Sequence, residues 1–151
     1  MNHAKSLLAF IVLGWLIQSG CSARPASVID TTAPNAEGIN SKRLEVPEEY
    51  SGMVNPMSNQ ENDVSEGRTL FESNCSSCHG INGEGDGPAA AGLEPPPQNL
   101  SQSQADLSDA YLFWRISEGG LMEPFDSVMP AWRGILNEDQ IWQIITFLRT
   151  L

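Results

Sequence analysis

The chain has 151 residues and carries 19 acidic against 8 basic side chains, a net charge of −11 at neutral pH. That length holds one domain with extensions rather than several domains. Such an excess of acid repels a phosphate backbone, which argues against nucleic acid as a partner; it reads either as a match for a protein partner with a basic docking surface, because complementary fields speed encounter, or as charge that only keeps the domain soluble.

The chain opens with Met1-Asn2-His3-Ala4-Lys5, a weakly basic segment, and continues into an apolar run from Leu7 to Ile17. The run is shorter than the ~20 residues a membrane-spanning helix needs. It predicts a signal peptide over 1–20 and hence an exported protein. Gln18-Ser19-Gly20-Cys21 closes the leader and resembles the bacterial lipobox, although Gln18 stands where that motif has leucine. The resemblance implies diacylglycerol on Cys21 and a lipid anchor on the periplasmic side of a bacterial membrane. Several acyl chains anchor stably where one does not. A spare thiol is otherwise a liability in an exported protein. Ordinary cleavage nearby, or an uncleaved leader serving as the anchor, are the alternatives.

From 21 to 60 the composition is polar and broken by Pro25, Pro34, Pro47 and Pro56, which predicts a flexible, lipid-anchored tether. Val46 to Met57 is the part of it open to packing, on the domain or on a partner.

The folded domain is expected over 61–151 and is mainly α. About ninety residues make a small core by themselves. A first helix is predicted from Asp63, with Glu66 three residues on as in a capping box, an apolar face of Val64, Leu70 and Phe71, and Cys75 at its end. A second covers Asp109 to Glu118, rich in Tyr111, Leu112, Phe113, Trp114 and Ile116, and ends at Gly119-Gly120. A third follows Asn137, with Gln140 completing a capping box and Ile141, Ile144, Ile145 and Leu148 at helical spacing. Phe147 and Leu151 extend that face. No alternating strand pattern occurs. Glycine- and proline-rich loops at Gly80–Gly87, Pro95–Pro97 and Pro124–Gly134 join the helices.

Cys75-Ser76-Ser77-Cys78-His79 carries the chemistry. Two thiols with a two-residue spacer, followed at once by an imidazole, are what covalent attachment of a c-type haem requires. The sulfurs form thioethers to vinyl groups on neighbouring pyrroles, and His79 reaches the iron. A redox dithiol would expect a βαβ pattern, which is missing. A zinc site would need about two further ligands, and only Cys21 and His3 remain, both in the leader. A large apolar cofactor also supplies the centre that so short a domain lacks.

His79 is the only histidine after the leader, so a second axial ligand comes from another residue type or the position stays open. Methionine sulfur suits iron held for electron transfer. Met129, stiffened by Pro130, is the preferred candidate. Met122 reads as a packing residue, and Met53 and Met57 lie in the tether. With both axial positions filled the chain is a one-electron carrier and not an enzyme. With the sixth position open it would be a peroxidase or gas sensor. Trp142 reads as core, and Trp114 and Trp132 read as core in preference to hydrogen bonding or packing at the haem. Arg115 and Arg133 read either as partners of haem propionates or as solvated side chains.

The spacing of Gly67, Phe71, Cys75, Cys78 and His79 resembles the first helix of class I c-type cytochromes. Gly87-Pro88, Val128-Met129-Pro130-Ala131-Trp132, and Ile144 with Phe147 resemble that family's Gly-Pro turn, ligand loop and C-terminal helix. The resemblance implies the class I cytochrome c fold, three main helices and Gly/Pro-rich loops around one covalent haem c. It further implies that Gly67 lets the first helix cross closely over the last near Phe147, and that the Pro88 carbonyl accepts from His79 Nδ1–H. The segment Pro95–Pro97 would pack at the haem edge. A narrower resemblance, through Asn55-Pro56-Met57, Gly83 to Pro88, and Met129 to Trp132, is to the lipid-anchored monohaem subunit of alternative complex III, a bacterial quinol-oxidising assembly. It implies subunits of a membrane complex as partners in a respiratory or photosynthetic electron-transport chain.

Overall fold

The computed structural model describes residues 45–57 and 61–151. The expected signal peptide, Cys21 and the tether up to residue 44 lie outside the described residues. The helices are α1 (Glu61–Asn74), the single turn α2 (Ser76–His79), the single turn α3 (Leu100–Ser103), α4 (Asp109–Glu118) and α5 (Glu138–Leu148). Among the described residues there is no strand, only one isolated bridge between Arg133 and Leu136. The architecture is the mainly helical one expected.

Caps account for the bounds of α4 and α5. Ser108 Oγ accepts from Tyr111 N at 3.1 Å and starts α4. Asn137 Oδ1 accepts from Gln140 N at 2.9 Å while Asn137 N donates to Gln140 Oε1 at 3.0 Å, the reciprocal capping box read from the sequence. α1 departs from expectation. It begins at Glu61, so Asp63 sits inside the first turn rather than capping it. There Asp63 Oδ1 accepts from Gln143 Nε2 on α5 at 3.3 Å. A tertiary contact to α5 uses the carboxylate that local reasoning assigned to a cap, and it still lies favourably in the first turn.

α1 and α5 make the largest contact in the domain. A Cβ at Gly67 would lie 1.9 Å from the Gln143 carbonyl oxygen and 3.0 Å from Phe147 Cβ. The missing side chain therefore allows this approach, as the resemblance implied. Around the crossing Phe71, Ile141, Ile144, Ile145 and Phe147 are almost wholly buried, each worth roughly 1.5–3 kcal/mol on removal from water. The Phe71 and Phe147 rings meet at 5.3 Å between centroids. α4 joins this pair through Phe113, whose ring lies 4.4 Å from Trp142.

Residues 45–57 do not stand apart from the helices. Tyr50, at the end of a 3-10 turn (Glu48–Tyr50), is 2% exposed. Asn55 bridges two helices, with its N–H on Asp109 Oδ2 at 3.1 Å and its Nδ2 on Thr146 Oγ1 at 2.8 Å. Packed chain thus reaches back beyond 61, along the stretch that sequence alone left open. Asp109 in turn receives Arg149, whose Nη2 lies 2.6 Å from Oδ1 and also donates to Leu107 O at 2.7 Å. This half-buried hub ties the N-terminal stretch, the start of α4 and the end of α5 together.

Gly67→Ala should lower unfolding stability by more than about 2 kcal/mol, because backbone on α5 must retreat. Chemical denaturation of the haem-loaded protein measures this. A loss below about 0.5 kcal/mol, the range of an ordinary surface substitution, would show that the crossing is not tight.

Candidate functional site

α1 ends against a cavity of about 490 Å³, within the range of cofactor sites. Cys75, Cys78, His79 and Met129 all line it, although the first three and Met129 come from distant parts of the chain. The rest of the wall is largely apolar, with Phe71 from α1, Leu112 and Ile116 from α4, and Ile144 and Leu148 from α5. Pro95, Pro96 and Pro97 form another side, as the resemblance implied. Met122, Met53 and Met57 pack against the core but do not reach the cavity.

The α2 turn presents the thiols and the imidazole. Its C-terminal carbonyls, which have no partner within so short a helix, are satisfied by the following loop. Gly85 N donates to His79 O at 2.8 Å, Gly87 N to Cys78 O at 3.1 Å and Ala89 N to Ser77 O at 2.8 Å. A Cβ on Gly87 would lie 2.4 Å from the Ser77 oxygen. The Gly87-Pro88 turn therefore serves α2 by backbone approach.

The expected role of Pro88 is not the one seen. His79 Nδ1 lies 3.1 Å from the carbonyl oxygen of Gln98, and Pro88 is exposed and off the cavity wall. The loop folds back so that the chain after the three prolines, not the Gly-Pro turn, meets the ring. A carbonyl only accepts, so Nδ1 carries the proton and Nε2 keeps its lone pair, the tautomer a metal ligand needs. Burial lowers the His79 pKa from the usual histidine value, and the Gln98 carbonyl partly opposes this. The neutral ring is thus the favoured form at neutral pH, as ligation requires.

Cys75 is pushed up to about 12, mainly by burial and further by Cys78. A thiol that stays protonated at neutral pH is a poor redox nucleophile or zinc ligand. Among the described residues no group of three or more His, Cys, Asp or Glu side chains could hold a metal ion. Both alternatives to haem attachment lose ground, while the donor set and the apolar walls fit a haem.

Met129 is held by the end of α4. Trp132 N donates to Ile116 O and Arg133 N to Ser117 O, each at 3.0 Å, so the chain after Met129 satisfies carbonyls that the helix leaves unpaired. On the near side Gly120 N donates to Met129 O and Ser127 N to Gly120 O, each at 2.8 Å. Gly119 makes this possible. Its φ is +72°, and a Cβ there would sit 2.6 Å from Met129 O, Pro130 C and Ala131 N. The sequence marked Gly119 only as a helix terminator. Its second task, admitting the Met129 loop, depends on contacts with Met129, Pro130 and Ala131 that no local pattern shows.

Trp142 and Trp114 are core, as expected, but Trp132 lines the cavity. Of the two arginines considered for propionates, Arg115 lines the cavity, its guanidinium 3.5 Å from the Phe125 ring centroid, with Nη1 donating to Gly119 O. Arg133 is off the cavity and pairs with Glu118 at 3.1 Å.

A helical domain with a Cys-x-x-Cys-His turn, a distant methionine and an apolar cavity between them is the design of a covalent haem carrier. The cytochrome c family model matches residues 64–151, and the chain belongs to that family. Membership implies covalently bound haem c and electron transfer. The chain is 30% identical over 94 residues to the Cbb3-type cytochrome c oxidase subunit FixP of Rhizobium meliloti (strain 1021), a match covering 58% of this chain and 27% of FixP. The chain therefore spans about a quarter of that relative's length. The fold is also similar to that of the Kuenenia stuttgartiensis reducing HAO-like protein complex Kustc0457/Kustc0458, with a TM-score of 0.51 at 20% identity, covering 66% of this chain and 47% of the other.

Gly119→Ala should destabilise the protein by about 2 kcal/mol or more, combining a left-handed φ with a backbone clash. Trp132 and Arg133 amides should exchange with solvent at least ~10-fold faster, following the lost pairing. Unchanged protection at these two amides would refute the wedge.

Proposed function

We propose that this chain is an exported, membrane-tethered monohaem cytochrome that transfers one electron at a time in a bacterial respiratory or photosynthetic chain, with His79 and Met129 as axial ligands and thioethers at Cys75 and Cys78. The observation that carries the proposal is the convergence of these four side chains on one apolar cavity. The bound haem supplies a one-electron iron couple. The chain supplies a fixed ligand set, the Gln98 carbonyl that orients His79, and a wall that keeps water away. A ligand loop pinned on both sides of Met129 limits movement between oxidation states, which favours transfer over inner-sphere chemistry.

Tethering through Cys21 would confine the carrier to a membrane surface. No helix among the described residues is long and apolar enough to cross a membrane, so within them nothing else serves as a spanning anchor. The net charge of −11 supports a basic partner surface. The likeness to an oxidase subunit, with the narrower resemblance to a quinol-oxidising assembly, supports membrane complexes as the partners, either as neighbours or as the assembly to which the chain belongs.

Ferric spectra of the wild type and Met129→Ala test the ligand set. The weak sulfur-to-iron charge-transfer band should be present in the first and gone in the second, and ferrous carbon monoxide binding should become fast only in the variant. Survival of the band in Met129→Ala would move the ligand to Met122 or elsewhere. Rapid, tight carbon monoxide binding by the wild type would favour an open-site peroxidase or sensor.

A further inference from the structure

Three chain segments meet at the outer end of α4. Tyr50, in the N-terminal stretch, donates its hydroxyl proton to Glu118 Oε1 at 2.5 Å. Arg133, four residues beyond Met129, donates from Nη2 to the same Tyr50 oxygen and lies 3.1 Å from Glu118 Oε1. The guanidinium carbon is 5.6 Å from the Tyr50 ring centroid. Carboxylate, phenol and guanidinium thus close a triangle, and each side chain comes from a different segment.

The three members are not equivalent. The Arg133 side chain is 61% exposed and that of Glu118 34%, and an ion pair so open to water contributes at most about 1 kcal/mol. Tyr50 differs, being almost wholly buried with its ring 6.3 Å from Phe113. Its ring is held by packing as well as by the hydroxyl's hydrogen bonds, so it gives the exposed pair a fixed point. The phenol pKa is pushed up to about 12 by burial and then by Glu118, which keeps the donor proton in place.

We infer that Tyr50 is a positioning residue for the axial methionine, latching the far limb of the Met129 loop to the N-terminal stretch through Glu118 and Arg133. The inference rests on the reading of Met129 as a ligand. Backbone bonds from Trp132 and Arg133 hold that limb on α4, and the triangle adds a side-chain lock at the same point. A segment that reads as tether by composition therefore bears on how readily the iron–sulfur bond opens.

Imidazole binding to the ferric haem-loaded protein reads this opening, followed by loss of the charge-transfer band. Tyr50→Phe keeps the ring and removes the hydroxyl. Losing a bond to charged partners, discounted for exposure, should raise imidazole affinity about fivefold. Thr146→Val is the control, since it removes one of the bonds that attach the same stretch through Asn55, away from the loop. It should lower overall stability and leave imidazole affinity at the wild-type value. Unchanged affinity in Tyr50→Phe, with the wild-type band intact, would overturn the latch alone. An equal rise in Thr146→Val would reduce it to general loosening and overturn it too. Absence of the band in the wild type would overturn the ligand reading and the latch with it.

Discussion

At Gly67 the backbone of α1 lies against the Gln143 carbonyl with no room for a β-carbon, and the site depends on that approach. The C-terminal end of α1 carries Cys75 to the cavity, while α5 contributes Ile144 and Leu148 to its wall. Were the helices held apart by a side chain, the thiols and the apolar wall would separate together. Close-packed interiors do not absorb such a shift without repacking. Phe71 and Phe147, whose rings meet tilted beside the crossing, turn it into a buried aromatic contact.

The loop that follows His79 and the loop that carries Met129 are built by one physical device. A helix ends with unpaired carbonyls, and the following chain returns to satisfy them. The loop after His79 does so for α2 through Gly85, Gly87 and Ala89. The chain after Met129 does so for α4 through Trp132 and Arg133. In each case a glycine, Gly87 or Gly119, stands where a β-carbon would meet backbone. Loops with little regular structure thereby acquire the rigidity of the helices they close.

The distribution of charge follows the same economy. Every basic side chain among the described residues is an arginine already engaged, Arg149 with Asp109, Arg133 with Glu118, Arg68 with Glu72 and the Phe147 ring, and Arg115 with the Phe125 ring and Gly119. The excess acid is left to set the outward field. Internal bonds of the arginines hold the N-terminal stretch, the helix ends and the Met129 loop in register.

Much of this was legible in the sequence because the signals were local. α4 starts at Asp109 and Asn137 caps α5 where expected, and Cys75, Cys78 and His79 announced haem chemistry through spacing alone. Met129, preferred over Met122 for the proline that stiffens its loop, is the one of the two that lines the cavity. The start of α1, the Gln98 carbonyl on His79, the second role of Gly119 and the packing of Tyr50 and Asn55 were not. Each is a contact between segments far apart in sequence, made by backbone groups that every residue possesses or by side chains whose partners lie on another element. Residue identity determined which helices form, where two of them are capped and which atoms are able to hold iron. Only the folded chain decided which carbonyl turns the imidazole and which segments clamp the methionine loop, because those choices depend on distance in space.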